Sequence, residues 1–349
     1  MPGDSDSLIG AVVGGRYKVR RLLGHGGMGE VYAADGKDGE KVALKVLHER
    51  AAQDPDMVVR FHREATIASK IKSPYVAAIL GAGKDRNGRL WIAFERLTGE
   101  GLDERLRRET YLSFADVAPI VEDTLQGLSA AHKAGVIHRD IKPANLFIEK
   151  RKPSKSGGAH GHHDQPREHD ERTRILDFGI SKIRRAHRKS EPSLTAFDAT
   201  LGSFAYMAPE QVRGSARVDE RADLYALGAV AFRGLTGRLP FEGANALTLI
   251  ALKLDREPPS LASTTGDEWP QGIERFLQRM MVRDRDRRFS SASEALEEWR
   301  KVCKAMGNAP RPAPRSARRT TSMVDAEESE TAGTFTESAS SVGSFPFRR

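Results

Sequence analysis

The chain has a single cysteine, Cys303, among its 349 residues, so it cannot form an internal disulfide bond. Disulfide-stabilised secreted folds are thereby excluded. Long apolar runs are also missing, because a stretch such as LYALGAVAF (224–232) is far shorter than the ~20 residues that a membrane-spanning helix needs. The first residues, MPGDSDSLIG, lack the basic-then-apolar order of a signal peptide. We therefore expect a cytoplasmic protein with no membrane span.

The composition is that of a globular protein with a basic surface. Apolar residues make up 39% of the chain, which is enough for the cores of two packed lobes. The formal net charge of +8 favours phosphate ligands, acidic partners or nucleic acid, although it also fits an ordinary solvated surface. No platform of interleaved aromatic and basic residues is visible, so we expect no nucleic acid partner.

Residues 16–97 predict a small β-rich lobe with one helix. The segments YKVRRLL, EVYAAD and KVALKVL are rich in β-branched residues and are separated by glycine-bearing turns, as in consecutive antiparallel strands. Residues 56–72 place apolar side chains at intervals of three and four, which indicates a helix. Two more strand-like segments follow, AAILGAGKD and LWIAFER, with RNG as the turn between them.

Residues 98–306 predict a larger, mainly helical lobe, so the fold class is α+β and bilobal. Its first long helix is expected over 114–135, where Gly135 is a common helix stop. Residues 1–15 are interpreted as an N-terminal extension. Further helices are predicted over 222–236, 245–255, 272–282 and 291–306.

Two stretches depart from globular composition. Residues 150–173 are polar, contain no aliphatic residue larger than alanine, and predict a mobile insertion. Residues 307–349 are rich in Pro, Ser and Thr and predict a disordered tail, which is either an autophosphorylation or docking segment or a plain linker. Histidines in the insertion suit a Zn²⁺ or Ni²⁺ site less well than a solvated loop: His160, His162, His163 and His169.

Two segments of the first lobe carry groups suited to a phosphate ligand. The segment GHGGMGEVY (24–32) has glycines that let the backbone approach phosphate oxygens. Because it lies between two strands, the dinucleotide-binding order of strand, glycines and helix is excluded. In KVALKVL, Lys45 stands among apolar neighbours, and Glu64 falls on the apolar stripe of the predicted helix. Buried charges need partners, so we expect a Lys45–Glu64 ion pair.

The segments HRDIKPANLF (138–147) and LDFGI (176–180) concentrate charged and amide side chains beside strand-like residues. Together with the glycine-rich segment, Lys45 and Glu64, they resemble the eukaryotic-type (Hanks-type) protein kinases, most of all the bacterial serine/threonine kinases. The matching residues occur in the family's order over about residues 16–306. They include Lys142, Asn145, His138-Arg139-Asp140, Asp177-Phe178-Gly179 and Ala208-Pro209-Glu210.

The resemblance implies ATP-dependent phosphorylation of serine or threonine hydroxyls on protein substrates, in signalling. It implies ATP and Mg²⁺ as cofactors, with Mn²⁺ as an alternative ion. Asp140 would orient the substrate hydroxyl or accept its proton, and Lys142 would neutralise the γ-phosphate and accompany Ser/Thr specificity. Asn145 and Asp177 would supply the oxygen ligands that Mg²⁺ prefers.

The resemblance also implies a nucleotide site between the lobes. Lys45 would hold the α- and β-phosphates, and Glu64 would fix that lysine. Phe94 corresponds to the gatekeeper, and backbone groups of Glu95 and Leu97 would meet the adenine edge. The residues expected around ATP are Leu23, Gly24, Gly26, Gly27, Gly29, Val31, Ala43, Lys45, Phe94, Glu95, Leu97 and Phe147.

Other matching residues are expected to regulate or support the site. Arg139 would contact a phosphorylated residue on the activation segment (177–210), with Thr195 as the first candidate and Thr200 next. Asp223 would accept hydrogen bonds from the catalytic-loop backbone. Structural roles are expected for His138, Phe178, Ser203, Asp223 and an ion pair of Glu210 with Arg288.

Two alternatives share part of these motifs. A pseudokinase scaffold would bind nucleotide without transfer, but Lys45, Asp140 and Asp177 are all present. A small-molecule kinase of the aminoglycoside phosphotransferase kind would lack the Ala-Pro-Glu element found at 208–210. A regulatory protein, a second kinase or a second copy of the chain is expected to deliver the signal.

Overall fold

The computed structural model describes residues 8–26, 29–48, 53, 55–151, 171–178, 204–214 and 218–307. These residues all belong to one compact unit, Met1–Asn308. The first sheet contains β1 (Val12–Val13), β2 (Tyr17–Gly26), β3 (Gly29–Asp35), β4 (Lys41–Leu47), β5 (Ile79–Lys84) and β6 (Leu90–Glu95). It is antiparallel and six-stranded, in the order β1-β2-β3-β4-β6-β5.

Each face of this sheet has its own core. On one face, Tyr32 of β3 and Leu44 of β4 are fully buried with neighbours from β2. On the other, Ile92 of β6 packs against Phe61 of helix α1 (Pro55–Ala68). Side chains alternate along a strand, so Lys45 points to the α1 side, where it is the cross-strand partner of Ile92. Lys45 is the buried lysine on this face of β4.

The first lobe begins earlier than the sequence predicted. Leu8 and Val13 are 6% and 1% exposed and pack in the same core as Tyr32. The described part of the predicted N-terminal extension, residues 8–15, therefore contributes to the core of the first lobe. Helix α1 ends at Ala68, earlier than the predicted residue 72.

The second lobe is mainly helical and contains a small sheet of three strands. The sheet pairs β7 (Gly99–Gly101) with β8 (Leu146–Lys150), and β8 with β9 (Glu171–Ile175), all antiparallel. A parallel bridge between Val76 and Ile175 joins it to the first lobe. Its helices are α2 (Leu102–Glu109), α3 (Phe114–Lys133), α4 (Pro209–Val212), α5 (Arg221–Thr236), α6 (Ala246–Asp255), α7 (Leu261–Thr265), α8 (Gln271–Met281) and α9 (Ala292–Gly307).

The predicted insertion is shorter than its composition suggested. Lys150 ends β8, and Glu171–Thr173 begin β9, with Lys150 paired to Glu171. Polar residues form a strand here because each finds a partner. Glu171 binds Arg105 through two hydrogen bonds of 2.8 and 2.9 Å, and the Thr173 N–H donates to the buried carboxylate of Asp123 at 2.9 Å. The predicted bounds of the insertion, residues 150 and 173, are therefore wrong at both ends. The residues between Arg151 and Glu171 lie outside the described part of the chain.

The core of the second lobe forms around α5, which is buried on nearly all sides. Ser113 is the N-cap of helix α3, and its hydroxyl accepts the Asp116 N–H at 3.2 Å. Trp299 of α9 is fully buried and donates its indole N–H to the Ala118 carbonyl of α3. Among the residues that the structure describes, no helix combines the length and the hydropathy of a membrane span. The predicted α+β, bilobal fold is confirmed.

Candidate active site

The loop that carries Asp140 is anchored to helix α5 by one buried carboxylate. Asp223, on α5, is 1% exposed and accepts the backbone N–H groups of His138 and Arg139 at 2.8 and 2.7 Å. His132 Nε2 also contacts it at 2.9 Å. Burial by itself raises the pKa of Asp223, but the hydrogen bond and charge of His132 and the loop N–H lower it below its usual value. The predicted contact between Asp223 and the loop backbone is present.

His138 orders this loop through both ring nitrogens. Its Nε2 lies 2.8 Å from the Leu176 carbonyl oxygen, so Nε2 donates, and its Nδ1 accepts the Asp140 N–H at 3.2 Å. The ring is fully buried and meets Phe178 edge-on, with 4.7 Å between centroids. An imidazole used in this way cannot act as a base toward a ligand, and the contacts fit the structural role predicted for His138 and Phe178.

Asp140 is surrounded by the other polar groups of its own loop. The Lys142 ammonium donates to Asp140 Oδ2 at 3.0 Å. Asn145, in a short 3₁₀ helix (Pro143–Asn145), donates its Nδ2 to the Asp140 carbonyl at 2.6 Å and to Oδ2 at 3.3 Å. Because the amide nitrogen of Asn145 faces Asp140, its Oδ1 points the other way and is placed to accept a cation.

Lys45 reaches across from the first lobe to Asp177. Lys45 is 8% exposed, and its Nζ lies 2.6 Å from Asp177 Oδ2. The Leu176 N–H donates to the Asn145 carbonyl at 2.9 Å, so Asp177 follows a residue that is bonded to Asn145. Burial alone raises the pKa of Asp177, but the charge and hydrogen bond of Lys45 lower it below its usual value. Lys45, Asp177, Asn145 and Asp140 therefore form one continuous site.

The Lys45 ammonium contacts a carboxylate other than the predicted Glu64, and the Lys45–Glu64 pair stays a prediction. Among the described residues, the carboxylate in contact with the Lys45 ammonium belongs to Asp177. Glu64 lies half-buried on α1, in the helical turn of Phe61 and Ala65. The sequence shows that a buried ammonium needs a carboxylate, but several carboxylates meet that need, and only the tertiary contacts select one.

Three of the predicted apolar residues, Val31, Ala43 and Phe94, lie on one face of the first sheet, and Phe147 lies on β8 of the second lobe. Val31 is the cross-strand partner of Lys45, and Ala43 is the partner of Phe94, so these side chains share the face of Lys45. Val31, Ala43 and Phe147 are half-buried, and Phe94 is 8% exposed. Leu23, near the end of β2, is 41% exposed.

Two glycines of the glycine-rich segment serve different purposes. A Cβ at Gly29 would lie 2.0 Å from the Val46 carbonyl oxygen, so glycine is required there by the close pairing of β3 with β4. A Cβ at Gly24 would meet nothing within 4 Å, so its backbone borders open space. Gly26 ends β2, and Gly27 lies outside the described residues.

The strand end that would meet adenine is held by an arginine that the sequence reasoning missed. Arg174 of β9 is 6% exposed and contacts the carboxylate of Glu95. It also donates to Glu149 at 2.8 Å and to the Val76 carbonyl at 3.0 Å. The Glu95 N–H is already donated to the Ala78 carbonyl at 3.0 Å, so this N–H is not available to an adenine edge. Leu97 is half-buried in the link between β6 and β7.

A buried ion pair, Glu210 with Arg288, lies next to a glutamine that contacts the catalytic loop. Arg288 donates to both carboxylate oxygens of Glu210 at 2.8 and 3.0 Å, as predicted, and the two residues are 3% and 9% exposed. The next residue, Gln211, was missed by the sequence reasoning and is 6% exposed. Its Nε2 donates to the Arg139 carbonyl at 3.0 Å, and its Oε1 accepts the Ala208 N–H at 3.0 Å. Single-sequence patterns do not separate such a glutamine from a surface one.

Several predicted residues fall outside the part of the chain that is described. They are Gly27, Gly179, Thr195, Thr200, Ser203 and the four histidines His160, His162, His163 and His169. The predictions made for them stay predictions.

The described groups fit a metal-bound triphosphate. Asp177 and the amide oxygen of Asn145 are hard oxygen donors of the kind that Mg²⁺ prefers. Lys45 and Lys142 bring positive charge from both lobes to the same place. Such a constellation can orient a phosphoryl group and neutralise charge that develops on it.

Comparison with known proteins agrees with this geometry. A family model described as "Protein kinase domain" matches residues 17–299. The chain belongs to the protein kinase family. Its sequence is 36% identical over 313 residues to serine/threonine-protein kinase pkn3 of Myxococcus xanthus, covering 88% of this chain and 54% of that protein.

Two further relatives of this kinase domain carry similar names. Serine/threonine-protein kinase PknJ of Mycobacterium tuberculosis is 36% identical over 287 residues, which cover 82% of this chain and 45% of PknJ. Serine/threonine-protein kinase PrkC of Bacillus subtilis is 32% identical over 289 residues, which cover 82% of this chain and 40% of PrkC. The chain spans about half or less of the length of these relatives.

A solved structure supports the fold independently. The kinase domain of Mycobacterium tuberculosis PknI matches with a TM-score of 0.62 and 28% identity, covering 84% of this chain and 98% of that one. The bilobal kinase fold is therefore confirmed by sequence and by structural likeness.

Proposed function

We propose that this kinase domain transfers the γ-phosphoryl group of ATP to serine and threonine hydroxyls of protein substrates. The observation that carries the proposal is the 2.6 Å contact of Lys45 with Asp177, beside a loop in which Lys142 and Asn145 both contact Asp140. Phosphoryl transfer requires positioning and charge neutralisation more than covalent chemistry, and these residues supply both. The names of the relatives support the Ser/Thr specificity.

Each residue has a distinct task in the proposed reaction. The substrate hydroxyl lies against Asp140, which accepts its proton as the oxygen bonds to the γ-phosphorus and the bond to the ADP oxygen breaks. Lys142 neutralises charge on the transferring group. Lys45 holds the nucleotide phosphates. Asn145 and Asp177 would hold Mg²⁺, or Mn²⁺ in its place, which when bound neutralises the triphosphate.

Arg139 supports regulation by phosphorylation of the activation segment. Its Nε is buried and has no hydrogen-bond partner among the described residues, and its Nη2 donates to the Val218 carbonyl at 3.3 Å. A guanidinium with donors to spare can receive a phosphate through charge-assisted bonds. We propose autophosphorylation at Thr195, with Thr200 next. A T195A/T200A chain would then lose the activation that wild type shows over its phosphatase-treated form, and equal turnover before and after that treatment in wild type would contradict this.

The proposed setting is cytoplasmic signalling, because ATP is an intracellular co-substrate. Protein substrates are the partners that the reaction requires. A regulatory protein or a second copy of the chain would control it.

Transfer of radiolabelled phosphate from ATP to a degenerate peptide library with a fixed serine or threonine tests the proposal. Wild type and D38N, whose substitution lies in the exposed turn between β3 and β4, should label the library, whereas D140N should be slower by roughly 10²–10⁴. Mass spectrometry of the labelled chain would locate autophosphorylation sites. Binding of ATP with Mg²⁺, seen as a raised melting temperature, without any transfer would contradict the proposal and favour the pseudokinase scaffold.

A further inference from the structure

A second lysine, on α6, is also buried. Lys253, on α6, is 1% exposed. Its Nζ donates to the carbonyl oxygens of Ala205 and Met207 at 2.8 and 3.0 Å. The nitrogen also lies 5.0 Å from the centre of the Tyr225 ring and 5.7 Å from that of Phe241. Within the described residues it contacts no carboxylate.

Such an environment is unusual for lysine, which is almost never fully buried without a counter-charge. Burial, together with the charge of Arg288, lowers the pKa of Lys253 to about 7. Two N–H donors for the two carbonyls are retained even by the neutral amine. Retaining a lysine in this place is therefore explained by the hydrogen bonds to the backbone rather than by charge pairing.

Both carbonyls belong to one short segment, residues 204–208, which lies near the end of the activation segment (177–210) and leads into α4. Ala205 packs with Phe241 and with Leu249 of α6, so the segment lies on the helix that carries Lys253. Ala205 lies in a turn and Met207 in an irregular stretch, and Lys253 satisfies the carbonyl groups of both residues.

The other end of the same segment is tied to the catalytic loop. The Ala208 N–H donates to Gln211 Oε1 at 3.0 Å, and Gln211 Nε2 donates to the Arg139 carbonyl at 3.0 Å. Arg139 directly precedes Asp140, the residue proposed to meet the substrate hydroxyl. A peptide that presents its hydroxyl to Asp140 must therefore pass beside a segment held by Lys253 on one side and by Gln211 on the other.

We propose that Lys253 is a positioning residue for the protein substrate, which fixes the backbone of residues 204–208 beside the catalytic loop by holding the Ala205 and Met207 carbonyls. This inference rests on the proposed kinase function. It assigns to α6 an effect on peptide recognition, with none on nucleotide recognition.

Steady-state kinetics of K253M, K253R and Q211A test this assignment, with the peptide that wild type labels best in the degenerate library. K253M should raise the peptide KM about tenfold or more and leave the ATP KM within about twofold, since both hydrogen bonds that hold the segment are lost. Q211A should shift the peptide KM in the same direction. K253R keeps a donor for the carbonyls and should recover part of the loss. K304M, with an exposed lysine on α9, is the matched control and should behave as wild type.

Hydrogen exchange of the full-length chain separates this inference from the proposed function. Amides of residues 204–208 should exchange faster in K253M than in wild type, whether or not the enzyme is active. Equal exchange, or a rise of both KM values together, would overturn the positioning role. If K253M does not fold, Q211A and K253R carry the same test. A wild type without transfer activity contradicts the proposed function and leaves the exchange comparison as the readout on the segment.

Discussion

Two buried lysines divide the proposed site into a nucleotide side and a peptide side. Lys45 meets a carboxylate, Asp177, at 2.6 Å, whereas Lys253 meets two backbone carbonyls and two aromatic rings. The first arrangement brings charges together where a charged ligand is expected. The arrangement around Lys253 satisfies two backbone carbonyls of residues 204–208 and contains no ion pair of Lys253 among the described residues. The same residue type thus serves electrostatics in one place and backbone geometry in the other.

The difference extends to the residues around each lysine. On the nucleotide side, Arg174 links β9 to Glu95 at the end of β6. On the peptide side, the ring of Tyr225 has Lys253 and Arg288 at 5.0 and 4.9 Å from its centre, and Arg288 is paired with Glu210. We therefore expect substitutions on the two sides to affect different kinetic constants.

The largest effect is expected on the nucleotide side. D177N removes the carboxylate partner of Lys45 and a proposed metal ligand, so single-turnover transfer should fall by roughly 10²–10³. The D38N chain, changed in the same way on the exposed surface, should stay within about twofold of wild type. Retention of more than a tenth of the wild-type rate by D177N would remove the basis for calling this the nucleotide side.

On the peptide side, the corresponding charge change should act first on stability. E210Q leaves the buried guanidinium of Arg288 without its carboxylate, so the free energy of unfolding should fall by about 3–5 kcal/mol. E298Q, which breaks the exposed pair with Lys301, should change it by less than ~1 kcal/mol. Urea denaturation gives both values. A loss no larger than that of E298Q would show that the buried pair does not support this side.

The unusual surroundings of Lys253 predict a pH dependence of stability. The unfolded lysine binds its proton up to the ordinary pKa of 10.5, but the folded one only up to about 7. Between these values unfolding takes up a proton, so the stability of wild type relative to K253M should rise with pH, by up to ~1.4 kcal/mol per unit. Denaturant curves at pH 6, 7, 8 and 9 measure it. Parallel curves for the two proteins would refute the titration.

The smallest effect separates the two sides most cleanly. R174M releases Glu95 and Glu149 from their shared arginine, and the ATP KM should rise roughly fivefold while the peptide KM does not change. R172M, on the neighbouring residue of β9, is the control and should leave both constants within about twofold. If R174M raised the peptide KM instead, the division between the two sides would fail.

Much of the fold could be predicted because local patterns agree with the tertiary contacts. The strand KVALKVL was predicted and observed over 41–47, and the helix that begins at Phe114 has its cap at Ser113. Local patterns failed where distant partners decide. Thr173 and Glu171 look like loop residues until Asp123 and Arg105 are placed beside them.

The sequence by itself determined which chemical groups are present and the order in which they occur, because strand and helix periods and the motif spacing are local properties. Only the tertiary structure decided which groups touch. It placed the carboxylate of Asp177 against Lys45, and it placed Gln211, Arg174 and Lys253 at buried contacts that no local pattern marks. The physical reason is that burial creates a demand for a partner, and chain packing over long sequence separations determines which residue meets it.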